Sequence, residues 1–202
     1  MNTIQIKPGQ AKHQGIGELI YAAIDDMAEI ILGHYTDAEI VADLQQLWQN
    51  RANRFSYDIS YVAVENEKVL GAMTCGPLEK IEKAMVPTVL QILSMNKLAP
   101  FKSIMKHPKK FYSLVTMDEG NEDEYHIAML AIATEVRGKG VGQQLLDVAQ
   151  EKAKEAGFNK ISLTVVQDNL PALNLYQKKG FNIVGEINHK PYYLYKMRKI
   201  LK

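Results

Sequence analysis

Hydrophobic positions recur along this chain with two different periods, and each change of period marks an element. Ile4 and Ile6 alternate with polar neighbours, the two-residue repeat of a short first strand. From Ile16 the step changes to three and four: Ile16, Leu19, Ile20, Ala23, Ile24, Met27, Ile30 and Ile31, with Gly33 as a stop. That spacing predicts one amphipathic helix. Asp37 is placed to cap a second helix with Ile40, Leu44, Leu47 and Trp48 on one face. Residues 61–64 and 69–73 read as antiparallel strands joined through the charged turn Glu65-Asn66-Glu67-Lys68.

Some forty residues between Pro77 and Met117 read mostly as helix, over 78–85 and 88–98, with Pro87, Pro100 and Pro108 as breaks. Residues 126–134 form a short apolar run with alanine on alternate positions, which suits a central strand covered on both faces. Val141, Leu145, Val148, Ala149 and Ala153 make the apolar face of a helix that ends at Gly157. Ile161, Leu163 and Val165 then alternate with Ser162 and Thr164 in the next strand. Strand, helix and strand at this spacing imply a parallel, right-handed crossover. Asp168 or Asn169 caps a short helix with Pro171 in its first turn, Gly180 ends it, and two strands over 181–186 and 192–197 finish the chain.

Composition narrows the function classes. The 202 residues suit one domain, 1–202, carrying a helical insert at about 78–117. A formal net charge of +1 argues against general attraction to nucleic acid or acidic membranes, so specificity has to be local. The lone Cys75 excludes an intramolecular disulfide and a multi-cysteine metal site, and in its apolar stretch it reads as packing. No metal set at ligand spacing is visible. Neither a signal-like apolar core at the start nor a run of membrane-spanning length occurs, which leads to the expectation of a cytoplasmic, unanchored protein.

The chemistry concentrates where the central strand turns into its helix, at Arg137-Gly138-Lys139-Gly140-Val141-Gly142. Glycines there allow positive φ and close approach of an anion to the backbone N–H groups at the helix start. The nucleotide-triphosphate loop does not fit this spacing. The dinucleotide fingerprint also fails, because its third glycine position falls on Gln143. Arg-x-x-Gly-x-Gly does fit, and here the chain resembles the GCN5-related N-acetyltransferases (GNAT superfamily). A second block, Asn169-Leu170-Pro171-Ala172-Leu173-Asn174-Leu175-Tyr176 with Gly180-Phe181, is similar to that family's Asn-x-x-Ala-x-x-Leu-Tyr-x-x-x-Gly-Phe segment. The resemblance is specific over about residues 126–187.

The resemblance implies an α/β fold: a mixed, mostly antiparallel twisted sheet with a central parallel strand pair, flanked by helices. It implies acetyl-CoA as cosubstrate, with the pyrophosphate on the backbone of Gly138, Lys139, Gly140, Val141, Gly142 and Gln143, and Arg137 beside it. The pantetheine would lie along Ile132 to Thr134, and Asn169 would hold the cofactor from the far side. Tyr176 matches the tyrosine that assists the leaving thiolate. His126, six residues before Ile132, stands where relatives carry a glutamate or histidine base, with Glu124 and Glu135 behind it. A backbone N–H near Ile132 would hold the oxyanion. Homodimers are common among such proteins.

The implied reaction is direct acetyl transfer to a primary amine in a ternary complex, with a small-molecule amine expected as acceptor. Five carboxylates within Asp118–Glu124 read either as a surface turn or as a lip that attracts a cationic amine. Other readings remain at this stage: a silent CoA-binding regulatory module, a protein N-terminal or lysine acetyltransferase, and a nucleic-acid binder using Lys102, Lys106, His107, Lys109 and Lys110. Near-neutral charge and the adjacent acidic run oppose the last.

Overall fold

The computed structural model describes residues 4–25, 27–33 and 36–202. Among the described residues, seven strands form one sheet: β1 (Gln5–Pro8), β2 (Ser60–Glu65), β3 (Lys68–Pro77), β4 (Tyr125–Ile132), β5 (Lys160–Val166), β6 (Asn182–His189) and β7 (Tyr192–Ile200). Their order is β1-β2-β3-β4-β5-β7-β6, and only β4 and β5 run parallel. The connection between them is α8 (Val141–Glu155), as the strand-helix-strand spacing requires.

Each face of the sheet carries its own core. On one face Leu145, Leu146, Ala149 and Ala153 of α8 are fully buried against Met73, Ile127, Ile161 and Leu163. α9 (Leu170–Lys178) adds Leu173 and Tyr176 to the same cluster. On the other face α1 (Ile16–Ile24) and α3 (Asp37–Gln49) press Ile20, Leu44 and Trp48 onto Val62, Ala72 and Met129.

One irregularity in β4 decides which side chains reach which core. Thr74 pairs with Met129 but Cys75 pairs with Ile127, so Ala128 is an extra residue, a β-bulge. Below it Tyr125 and Ile127 face the α8 side; above it Met129 and Ala131 face the α1 side. A strand of strict two-residue alternation would not make that switch.

Several local expectations are corrected. The stripe from Ile16 to Ile31 is broken at Asp25, whose φ of 45° ends α1, and α2 (Met27–Leu32) starts in a new direction. The break sends Ile30 to a small cluster with Ile187, Tyr192 and Leu194 of the last two strands. Periodicity continues across such a break because both pieces are helical and both are buried. The cap of α3 is Thr36, whose Oγ1 accepts the Glu39 N–H, and Asp37 is the first helical residue. The hairpin turn is tighter than expected, with Asn66 and Glu67 at φ 50° and 65°, the two-residue turn that suits strand twist.

Between β3 and β4 lie four helices: α4 (Leu78–Lys83), α5 (Met85–Asn96), α6 (Ala99–Lys106) and α7 (Pro108–Val115). Pro87 does not break a helix; it sits in the first turn of α5, where its missing N–H costs nothing. Pro100 and Pro108 occupy the same kind of position in α6 and α7. No described helix is long and apolar enough to cross a membrane.

Leu145→Ala is expected to lower unfolding free energy by about 2–5 kcal/mol, since a fully buried isopropyl group is removed from the joint between α8 and the sheet. Urea denaturation monitored by circular dichroism measures it.

Candidate active site

The site begins where β4 ends. The Ala133 N–H donates to Leu70 O at 2.9 Å, which fixes the last rung between β4 and β3. A single 3-10 turn, Thr134–Val136, then leads into the glycines. Gly138 and Gly140 have φ of 77° and 84°, the left-handed region in which a side chain is strained. A Cβ on either would meet no atom within 4 Å, so the space above both is open.

The loop's own hydrogen bonds leave a set of donors free. Arg137 N–H goes to Thr134 O, Lys139 N–H to Val136 O and Gln144 N–H to Gly140 O. No protein acceptor among the described residues takes the N–H of Gly138, Gly140, Val141, Gly142 or Gln143, and α8 has no side-chain cap. Five donors and the positive end of a fifteen-residue helix therefore converge on open space. An anion of phosphate type fits this arrangement.

Gly142 has a different reason to be glycine. A Cβ there would come within 3.0 Å of Leu175 Cδ2, so the residue lets α9 pack tightly over the start of α8. The side chain of Arg137 also departs from the simplest expectation. Its Nε donates to Ile132 O at 3.2 Å, and it lines a groove of about 870 Å³ between the hairpin turn and the start of α1, shared with Lys12, His13, Lys68 and Thr134.

The second component is a gap in the sheet. β4 and β5 pair over only three residues, Tyr125–Ile127 with Ile161–Leu163, although both strands continue beyond. Since Ala133 bonds to β3, alternation along β4 turns the N–H and C=O groups of Leu130 and the N–H of Ile132 toward the gap. Donors and acceptors so exposed can take an extended amide-bearing ligand as an added strand. The gap and the glycine loop meet at the end of β4.

Tyr176 stands on α9 in the core cluster of the α8 face, tilted against Phe181 with ring centroids 6.1 Å apart. Burial pushes its phenol up to about 12. No described residue hydrogen-bonds its hydroxyl, which keeps its proton and is free to donate it to a ligand. Asn169 caps α9, accepting the Ala172 N–H on Oδ1 at 3.2 Å, so its carbonyl is already engaged.

His126 is not at the surface. It is 1% exposed, one strand position below the bulge, on the sheet face opposite α8. Its Nδ1 lies 3.0 Å from Ser162 Oγ, and its buried Nε2 has no hydrogen-bond partner. Glu119 Oε2 lies 4.0 Å from Nε2 and is itself bound by Arg54 at 2.7 Å. Burial lowers the imidazole pKa, Glu119 opposes that and Arg54 reinforces it, so the ring is neutral at pH 7. Arg54, Glu119 and Ser162 carry no motif; only the fold gathers them. Ser162 appeared in the sequence merely as a polar position of an alternating strand.

Four of the five carboxylates in the acidic run are paired within the protein, and Glu122 is left exposed. Asp118 pairs with Lys196 at 2.8 Å, Glu119 with Arg54, Asp123 with Lys160 and Glu124 with Arg198. Glu124, fully buried, also accepts from the Asn121 backbone and side chain. Glu135 is exposed and pairs with Lys68 at 2.8 Å. Cys75 is buried with its thiol pushed up to about 12 by burial, as a packing residue would be.

Comparison with known proteins agrees with this geometry. Residues 24–181 match the model of the Acetyltransferase (GNAT) family. A stretch of 64 residues is 38% identical to an uncharacterised N-acetyltransferase of Bacillus subtilis (strain 168), covering 32% of this chain and 26% of that protein. Another of 66 residues is 30% identical to mycothiol acetyltransferase of Corynebacterium jeikeium (strain K411), covering 33% of this chain and 19% of that one. The chain thus spans about a quarter or less of the length of these two relatives. The crystal structure of an N-acetyltransferase from Staphylococcus aureus Mu50 superposes with a TM-score of 0.74 at 21% identity, over 96% of this chain and all of the other. The chain belongs to the acetyltransferase (GNAT) family, whose members use acetyl-CoA as acetyl donor.

Proposed function

We propose that this protein is an acyl-CoA-dependent N-acetyltransferase, one catalytic domain over its 202 residues, that moves the acetyl group of acetyl-CoA to the primary amine of a small molecule. The observation that carries the reading is the junction of the strand gap with five unbonded N–H groups at the start of α8. Pyrophosphate on Gly138–Gln143 and pantetheine amides on Leu130 and Ile132 use donors that the protein leaves unsatisfied. Thr134, Arg137, Lys139 and Asn169 border that path.

In this reading the amine nitrogen attacks the thioester carbonyl directly. The carbonyl oxygen takes up negative charge, which a backbone N–H turned into the gap, that of Ile132 or Leu130, stabilises. The tetrahedral intermediate expels the CoA thiolate, to whose sulfur Tyr176 hydrogen-bonds as charge develops, and the second proton of the attacking nitrogen ends on that sulfur to give the free thiol. Because the phenol sits near 12, hydrogen bonding in the transition state matters more than full transfer of the proton. An alkylammonium with a pKa of about 10.4 must first lose its proton. His126 is the assigned acceptor of that proton, acting through Ser162 or a bridging group, because its ring is closed to direct contact with solvent. Asp118, Glu119, Asp123 and Glu124 pair with the protein's own cations, which leaves Glu122, without an ion pair among the described residues, as the carboxylate of that run available to a cationic acceptor.

Three outcomes test the reading. Free-thiol release from acetyl-CoA, measured over a panel of small amines and N-terminal peptides, should appear with a small amine and show intersecting initial-rate lines. Tyr176→Phe should lower kcat about 10²-fold with little change in the KM of acetyl-CoA. Tight CoA binding without thiol release for any acceptor would overturn catalysis and leave a binding module. Gly140→Val should raise the KM of acetyl-CoA about tenfold, since a β-branched residue is strained at φ 84° and fills the anion's space. Isothermal titration with CoA reads the same loss.

His126 gives a pH signature. Its folded pKa lies below the unfolded value of about 6.5, so the neutral ring's contribution to stability is complete above that pH and declines as pH falls through 6.5 toward the folded value. His126→Gln should flatten that decline in urea midpoints. If His126 also serves as base, the acid limb of kcat/KM shifts in the variant; an unchanged limb would assign the ring to packing alone.

A further inference from the structure

The helices between β3 and β4 present an anomaly that acetyl transfer does not use. In α6 the buried residues are Pro100 and Ser103, while Phe101 and Met105 are 52% and 83% exposed. The helix is inside out: small residues face α2, where Ser103 Oγ donates to Glu29 O, and large apolar ones face water. Leu98, Phe101 and Met105 follow at three and four residue steps, so they form one outward stripe. In α7 Ser113 is the buried residue, bonded to Lys190 O at 2.7 Å, and Tyr112 and Val115 point outward one turn apart. α5 also leaves Met85, Val86, Val89 and Leu90 exposed, on a helix without a single charged residue. Nine of the fifteen exposed large hydrophobic residues of the described chain thus lie between 85 and 115. Such a concentration is uncommon on a surface that meets only water.

Charge identifies what covers it. Residues 97–117 hold five lysines, Lys97, Lys102, Lys106, Lys109 and Lys110, and no carboxylate. With those five set aside, nineteen basic residues face twenty-three acidic ones, so the remainder of the chain is −4 while this segment is +5. Lys97, Lys102 and Lys109 are exposed and have no ion-pair partner among the described residues. Lys102 flanks the Phe101–Met105 stripe, and Lys109 flanks Tyr112. Apolar and aromatic side chains rimmed by lysine on short helices are the composition of an interfacial segment. A symmetric contact with a second copy would instead set this lysine rim against itself.

We propose that the outer face of α5, α6 and α7 docks on an anionic phospholipid surface, with Leu98, Phe101, Met105 and Tyr112 entering the headgroup layer and Lys97, Lys102 and Lys109 meeting lipid phosphates. The near-neutral total charge conceals this because the segment's excess is cancelled elsewhere in the chain. The glycine loop and strand gap belong to other elements, and the proposal does not depend on the catalytic reading.

Co-flotation of the full chain with vesicles of phosphatidylcholine containing phosphatidylglycerol, compared with phosphatidylcholine alone, tests it. Binding to the anionic vesicles should be at least about tenfold greater at low salt and weaken as salt rises. Lys102→Gln and Lys109→Gln should each reduce it about fivefold. The double variant Phe101→Asp, Met105→Asp should abolish it while melting temperature and CoA binding stay as in the native chain. Three results would overturn the proposal: no binding to either vesicle, equal binding to both, or a lipid-free dimer in sedimentation that the same double variant dissociates. Retention on RNA lost with the lysine variants but kept in Phe101→Asp, Met105→Asp would assign the face to nucleic acid instead.

Discussion

Everything in the candidate site depends on two parallel strands that stop bonding to each other after three residue pairs. β4 and β5 cannot stay paired beyond Ile127 and Leu163 and also leave room for a ligand, and the structure resolves this in favour of room. The cost is a row of unsatisfied backbone groups on the open side of β4. Such groups need partners, and an extended ligand can supply them. β3, bonded to β4 on the other side through Ile132, holds the strand straight while its partner departs. The helix that joins the two strands inherits the consequence. It starts at the mouth of the gap, uncapped, with glycines before it.

The β4 bulge serves the same arrangement from within. By switching faces at Ala128 it places Met129 and Ala131 under α1 while His126 lies with Ser162 farther down on that side. The neighbourhood of His126 is held by charges drawn from distant parts of the chain: Arg54 before β2, Glu119 and Glu124 before β4, and Arg198 on β7. Ion pairs in such partly buried positions are sensitive to loss of one member, because the other is left uncompensated. The acidic run thereby acts as a fastening between the helical segment, the sheet and the loop at 50–58. Four of its five carboxylates are spent on the fold.

α2 links the two ends of the molecule. Its turn away from α1 at Asp25 puts Ile30 in one cluster with the β6–β7 pair and with Phe111 and Leu114 of α7, while Glu29 O accepts from Ser103 of α6. A continuous helix could not touch both. Toward α2, α6 presents Ser103, whereas α7 also packs Phe111 and Leu114 on the Ile30 cluster and α5 buries Ile92 in the core under α1 and α3.

The sequence alone determined the order and type of nearly all elements, the parallel crossover, the glycine turn and the second motif around Tyr176, because each of these is encoded in local spacing. Periods of two and of three to four report which residues share a face, and glycine at 138 and 140 reports a backbone that needs positive φ. Only the tertiary structure decided the rest. The bulge at Ala128 has no local signature, since one extra residue in a strand changes no composition. The kink at Asp25 lies in a stripe whose period is intact on both sides. That His126 is buried, that four of the acidic run's five carboxylates are taken by distant cations, and that Gly142 serves packing against Leu175 are facts about neighbours far along the chain. Periodicity tells that a helix has an apolar face; what that face meets is set by the other elements, and in α6 it meets solvent.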